Sequence, residues 1–223
     1  MTAERRSILL VALVGCLCGM PASAGTLFTD LGSSPPIYDS GGWVISGSSS
    51  IVPVTQSVAD LFRVSGSGSQ VVSQIDLAVA VIPGSLLNTF TASIYTDNSG
   101  APGVQVANAR WSPLNANTVT CCALVTISGI TGVTLEGGQS YYLVLGAVSP
   151  TDNSADYWAY NNQGVTGDVK VIDSGTSFDH PSSTLDAFAV LGGPAVPEPC
   201  SVLLIVTGVA GFLAARRRRP YRA

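Results

Sequence analysis

The sequence predicts an all-β fold: a single antiparallel β-sandwich, jelly-roll-like, flanked by an N-terminal signal helix and a C-terminal transmembrane helix. Three observations carry this expectation. Short apolar alternations recur along the middle of the chain, separated by turn formers, as in a sandwich or barrel. No stretch there shows a 3.6-residue apolar period closed by caps. The composition agrees, with 24 glycines and 13 prolines among 223 residues, 46% hydrophobic and only 11% charged. A coiled coil or a disordered acidic chain would need far more charge.

The first element is residues 1–24. Arg5 and Arg6 supply a positive start, residues 8–17 are mostly apolar, and Pro21 ends the run. Ala22-Ser23-Ala24 then offers the small residues that signal peptidase accepts. Cleavage is expected between Ala24 and Gly25. The apolar run is too short to span a bilayer. A rival address is Leu13-Val14-Gly15-Cys16, which resembles a bacterial lipoprotein box with Cys16 as the lipid-bearing residue. The apolar stretch before it is only about seven residues, at the low limit for a signal.

Residues 25–195 are the body, enough for one domain with a sizeable core. Its candidate strands are 43–46, 57–64, 71–81, 90–95, 107–111, 119–127, 140–147, 158–161 and 185–191. Between several of them lie Ser65-Gly66-Ser67-Gly68, Pro83-Gly84, Asp97-Asn98-Ser99-Gly100 and Gly137-Gly138, residue types that turn a chain.

Residues 196–223 are the last element. Pro197-Glu198-Pro199 precedes an uncharged run of 16 residues, 200–215, and Arg216, Arg217, Arg218 and Arg219 follow at once. As a helix the run covers about 24 Å, short of a ~30 Å hydrocarbon core. Four arginines that reach to the interface tolerate such a span and hold the tail on the cytoplasmic side.

Val196-Pro197-Glu198-Pro199, the short hydrophobic helix and the arginine cluster together resemble a PEP-CTERM sorting signal. The resemblance implies a substrate of exosortase, a membrane enzyme of Gram-negative bacteria, cut near Pro197, Glu198 and Pro199. It further implies a biofilm or exopolysaccharide setting. The chain would be anchored in the inner membrane until cut, then released to the cell surface or the extracellular matrix. Within the body, residues 92–103 read as strand, turn and Pro-Gly corner. Residues 135–145 read as a Gly-Gly turn into an aromatic-bearing strand, followed by Tyr157-Trp158-Ala159-Tyr160. These segments resemble the choice-of-anchor extracellular domains, most of all the R type. That family supplies no catalytic residues to transfer.

Charge excludes one class of partner. The body holds three bases, Arg63, Arg110 and Lys170, against twelve acids, a balance of −9. A nucleic-acid binder needs cations to displace counterions from phosphates, so no nucleic-acid partner is expected.

No catalytic constellation emerges. The one histidine, His180, is adjacent to Asp179 and close to Ser177, but adjacency is no triad and no Gly-x-Ser-x-Gly elbow occurs. It reads as a loop histidine. Glu136 is the body's only glutamate, at a turn. No zinc spacing is present, and no resident metal or other cofactor is expected. Asp97-Asn98-Ser99-Gly100 and Asp152-Asn153-Ser154 offer oxygens to a structural Ca²⁺, yet the same residues make turns without an ion. Cys121 and Cys122 are adjacent and point to opposite faces of a strand. Buried thiols, a strained vicinal bridge and intermolecular bridges all stay open.

Aromatic residues close the list. Trp43, Trp111, Trp158, Tyr141, Tyr142, Tyr157 and Tyr160 serve either as core or as a platform on which sugars stack. If a ligand surface exists, Trp158 and Tyr160 are its candidates. The expectation is an exported surface or matrix protein, structural or adhesive and not an enzyme. The alternative is a carbohydrate-binding module with an exposed aromatic surface.

Overall fold

A computed structural model describes residues 25–118 and 123–195, and every regular element among them is a strand. In chain order these are β1 (Gly25–Thr29), β2 (Gly42–Ser46), β3 (Gln56–Arg63), β4 (Gly68–Leu77), β5 (Val79–Val81), β6 (Thr89–Asp97) and β7 (Pro102–Asn115). There follow β8 (Val125–Ser128), β9 (Thr134–Gly137), β10 (Ser140–Ala147), β11 (Ala155–Ala159), β12 (Thr166–Asp173), β13 (Thr176–Thr184) and β14 (Phe188–Pro194). Ala24–Pro194 is a compact unit.

The strands build two antiparallel sheets. One runs β1-β14-β4-β8, with β9 also on β4. The other runs β5-β11-β2-β3-β10-β6-β7, with β12 on β3 and β13 on β12. Alternation decides what lies between them. From the larger sheet come Val58, Phe62, Phe90, Ile94, Leu143 and Leu145; from the smaller come Val72, Ile75, Leu77, Phe188 and Val190. All belong to one buried cluster. Its centre is aromatic: the Phe188 ring lies 4.7 Å from Phe28, 5.6 Å from Phe62 and 5.5 Å from Trp158.

Several strand expectations need correction. The apolar run 71–81 looked like one strand but serves two sheets. β4 pairs with β14, β5 pairs with β11, and the buried Ala78 is the corner between them. There Ala78 donates its N–H to Ala187, and Ala159 donates to Ala78. Within 119–127 the strand covers 125–127 and not 123–124, and residues 119–122 lie outside the described residues. β11 starts at Ala155, three residues before the expected position, because Asp156 is paired with Ile45 and Val81 inside the sheet. β1, β9, β12 and β13 were not expected. β13 is an exposed edge strand, so it needs no apolar face and tolerates Pro181.

The turn formers act as expected at Asp97-Asn98-Ser99-Gly100. Asp97 Oδ1 accepts the Gly100 N–H at 2.8 Å, and Gly100 takes φ 86°, a conformation open to glycine. Burial across the sheets makes stability sensitive at the centre and insensitive at the edge. Phe188→Ala is expected to cost about 3–5 kcal/mol in denaturant unfolding. Phe178→Ala, at a residue 50% exposed on β13, is expected to cost under about 0.5 kcal/mol.

Candidate functional site

The unusual chemistry lies where the parity of the strands forces acids inward. In β3, Val58, Asp60 and Phe62 share one face, and that face is the core. Asp60 is fully buried, level with Leu143 of β10 and Val169 of β12, both core residues. Its Oδ2 accepts the backbone N–H of Asp186 at 2.6 Å, and its Oδ1 has no partner. Asp186 is equally buried, in the segment that carries the chain from β13 to β14, and neither of its oxygens accepts a hydrogen bond. Asp30 directly follows β1. Its Oδ1 accepts the Phe188 N–H at 2.7 Å, and its Oδ2 is unpartnered.

Burial dominates the acidity of all three. It pushes Asp30 up to about 7 against the opposing pull of the Phe188 amide. It raises Asp60 well above the carboxylate range, opposed by the Asp186 amide and reinforced by Asp30. It raises Asp186 too, reinforced by Asp60 and Asp30 and drawn partly back by the Trp43 backbone amide. Two neighbouring buried carboxyls do not both ionise near neutral pH, so this pair keeps a proton. A fourth inward acid, Asp156 of β11, lacks partners on both oxygens and is pushed up to about 7 by burial and by Asp152.

Beside this group stands a small aromatic cluster. Trp43 of β2 lies 6.3 Å, edge to face, from Tyr160 and 4.7 Å from the His180 ring. All three residues are half-buried. Trp43 Nε1 is covered and has no partner. Burial raises the Tyr160 hydroxyl, and Asp186 and Asp60 add to it.

This arrangement corrects the expected ligand surface. Trp158 is fully buried, and its Nε1 donates to the Ala187 carbonyl at 3.1 Å. β11 lies between β2 and β5, so its inward residues are walled by strands on both sides and capped by Phe188 from the facing sheet. Trp158 offers nothing to a ligand; Tyr160 keeps a half-exposed ring, and its neighbour there is Trp43.

Other expected residues fall as follows. His180 lies on β13 and not in a loop, against Trp43. Asp179 forms an ion pair with Lys170 at 2.9 Å, so it does not orient His180. Glu136 is exposed on β9. The carboxylates considered for Ca²⁺ are used in turns: Asp152 accepts from the Ser149 N–H, the Ser154 N–H and the Ser154 hydroxyl. Among the described residues no group of three or more His, Cys, Asp or Glu is disposed to hold a metal ion. Gly25 opens β1, opposite Gly192. Ala24, Pro197, Glu198, Pro199, Arg216, Arg217, Arg218, Arg219, Cys121 and Cys122 lie outside the described residues. Among the described residues no helix is long and apolar enough to cross a membrane.

No protein-family model and no curated protein matches the chain. Among the solved structures similar to part of it are two of one clostridial protein. One holds the cysteine protease and lectin-like domains of Cwp84, a surface layer associated protein of Clostridium difficile. It is 12% identical with a TM-score of 0.42, over 63% of this chain and 32% of that one. The other is the clostridial cysteine protease Cwp84 after propeptide cleavage, 11% identical with a TM-score of 0.42, over 63% of this chain and 36% of that one. The chain thus matches about a third of the length of each.

Sequence reasoning missed Asp30, Asp60, Asp186 and Trp43 as a group. One signal was available: Asp60 stands between Val58 and Phe62 at the spacing of one strand face. The turn role of Asp152 is directly testable. Asp152→Ala is expected to cost about 1–3 kcal/mol through its lost hydrogen bonds. Added calcium should not raise the melting temperature of the unaltered chain above its value in EDTA.

Proposed function

We propose that this chain is an exported surface or extracellular-matrix protein, sorted by exosortase and structural or adhesive in role. The observation that carries the reading is the order of parts near the C-terminal end: Pro197-Glu198-Pro199, the uncharged run 200–215, then Arg216 to Arg219. The fold is compatible with both cuts. β1 begins at Gly25 and β14 ends at Pro194, so cleavage after Ala24 and near Pro197 removes no residue from either sheet. The jelly-roll-like topology, the signal helix and the transmembrane helix belong to the same reading. So does the route: export by way of signal peptidase, anchorage in the inner membrane, then release beside exopolysaccharide.

The test is the intact mass of the protein recovered from cells and from medium. A species from Gly25 to near Pro197 is expected, and surplus mass at its new C-terminus would identify what exosortase attached. Retention of residues 200–223 would mean a plain tail anchor and would end the sorting hypothesis. Diacylglycerol on Cys16 would replace the signal-peptidase site with the lipoprotein one.

A second reading, a saccharide-binding surface, is favoured by one observation: Trp43, Tyr160 and His180 present half-exposed rings side by side. An aromatic ring offers a ligand a broad apolar face and, in Tyr and Trp, a polar handle. Trp43→Ala combined with Tyr160→Ala is then expected to abolish retention on exopolysaccharide. Unchanged retention would leave the structural role alone.

A further inference from the structure

We propose that Asp60 and Asp186, with Asp30, form a proton-operated latch between the two sheets, closed when the carboxyls are protonated and loosened when they ionise. The geometry is a chain of contacts. Asp60 sits in the middle of β3 in the larger sheet and accepts the Asp186 N–H. Two residues on, Phe188 starts β14 in the smaller sheet and donates its N–H to Asp30, at the end of β1. The Asp60 and Asp30 carboxyls therefore join β3, β14 and β1 through one short segment, which also carries the buried Asp186 carboxyl.

These groups lack any other compensation. Asp60 Oδ1, Asp30 Oδ2 and both Asp186 oxygens are buried without partners. The groups acting on the three acids are burial, backbone amides and one another. From the surrounding elements, the titratable groups beside them are Tyr160, raised by burial and then by Asp186 and Asp60, and His180, whose ring lies against Trp43. Lys170 of β12 is level with Ala59, not Asp60, and so points to the opposite face, where Asp179 holds it. The acids do not converge as a metal site. A proton is the compensating cation that remains, and an unpaired ionised carboxylate in such a place is costly.

The pH dependence follows by linkage. The unfolded carboxyls release their protons near pH 4, whereas the folded ones keep them to higher pH. The folded state therefore binds more protons across that interval, so its stability falls as pH rises. This contribution is complete below about pH 4 and is lost on passing the raised folded values, about 7 for Asp30.

The experiment follows thermal unfolding of the full-length chain in mild detergent from pH 5 to pH 8. Hydrogen exchange, corrected for intrinsic rates, is read along β1 and residues 186–190. The unaltered chain is expected to lose about 5 °C or more, with protection falling first in those segments. Asp186→Asn should flatten the slope, and the exposed Asp39→Asn should leave it unchanged. A melting temperature that is flat or rises with pH would overturn the latch, as would an Asp186→Asn slope equal to that of the unaltered chain. Should Asp186→Asn fail to fold, Asp30→Asn and the proton uptake on folding at pH 7 decide. Net uptake is expected, and none would refute the proposal.

Discussion

The rest of the domain depends on one crossing: residues 185–188, which carry the chain from the edge of the larger sheet to the centre of the smaller one. All four are buried. A buried backbone must place every N–H and C=O, and here each N–H is accounted for. Leu185 donates to Val165, Asp186 to Asp60, Ala187 to Ala159 and Phe188 to Asp30. The Leu185 carbonyl accepts from Asn161, and the Ala187 carbonyl from Ala78 and Trp158. Two of these partners are carboxylates because no strand edge is free at those points. The acids thus enter the core to satisfy a backbone that changes sheets.

That solution has a cost. Asp30 and Asp60 each gain one strong backbone hydrogen bond and leave one oxygen bare, and Asp186 leaves both of its oxygens bare. An amide–carboxylate bond is worth about 1.5–3 kcal/mol, whereas an uncompensated buried charge costs several times that. The balance favours folding only while the acid is neutral. Asparagine at position 30 or 60 would make the same single hydrogen bond, and at none of the three positions would it titrate. Its absence at positions 30, 60 and 186 is what separates a latch from a staple.

Much of the architecture was legible, and the lapses share a physical cause. β3, β6 and β10 are central strands with apolar residues at every second position, and their boundaries matched the pattern closely. β1, β12 and β13 were missed because alternation is weak or absent where a strand is short or lies near an edge; β13 is almost wholly exposed. The 71–81 run failed for the opposite reason. It is apolar throughout, so nothing in it marks Ala78 as the corner. The candidate site was only partly legible. Asp60 on an apolar strand face was visible in the alternation. Its pairing with Asp186, 126 residues away, is a matter of topology. The aromatic set was recognised by type, but type does not say which ring is enclosed. Trp158 and Trp43 are directly opposite in register, yet Trp158 has Val79 of β5 on its other side, whereas β2 meets β3 only at Ser46, and Trp43 is left half-buried.

The latch and the proposed export are linked by compartment. A protein outside the cytoplasm meets the pH of its surroundings, so buried carboxyls that hold their protons above the usual carboxylate range, Asp30 up to about 7, respond to conditions a cytosolic domain seldom meets. The proteins of a matrix also sit at high density among copies of themselves. Loosening β1 there would uncover the edge of β14, whose ladder groups would then be free to pair with another chain. A neutral carboxyl cluster keeps that edge covered at no cost in net charge. This leaves the exposed acids to keep the body negative and dispersed. The division of labour is consistent with the distribution of the acids. Those on turns and at the rim carry the charge, and those in the seam hold the fold only while they carry none.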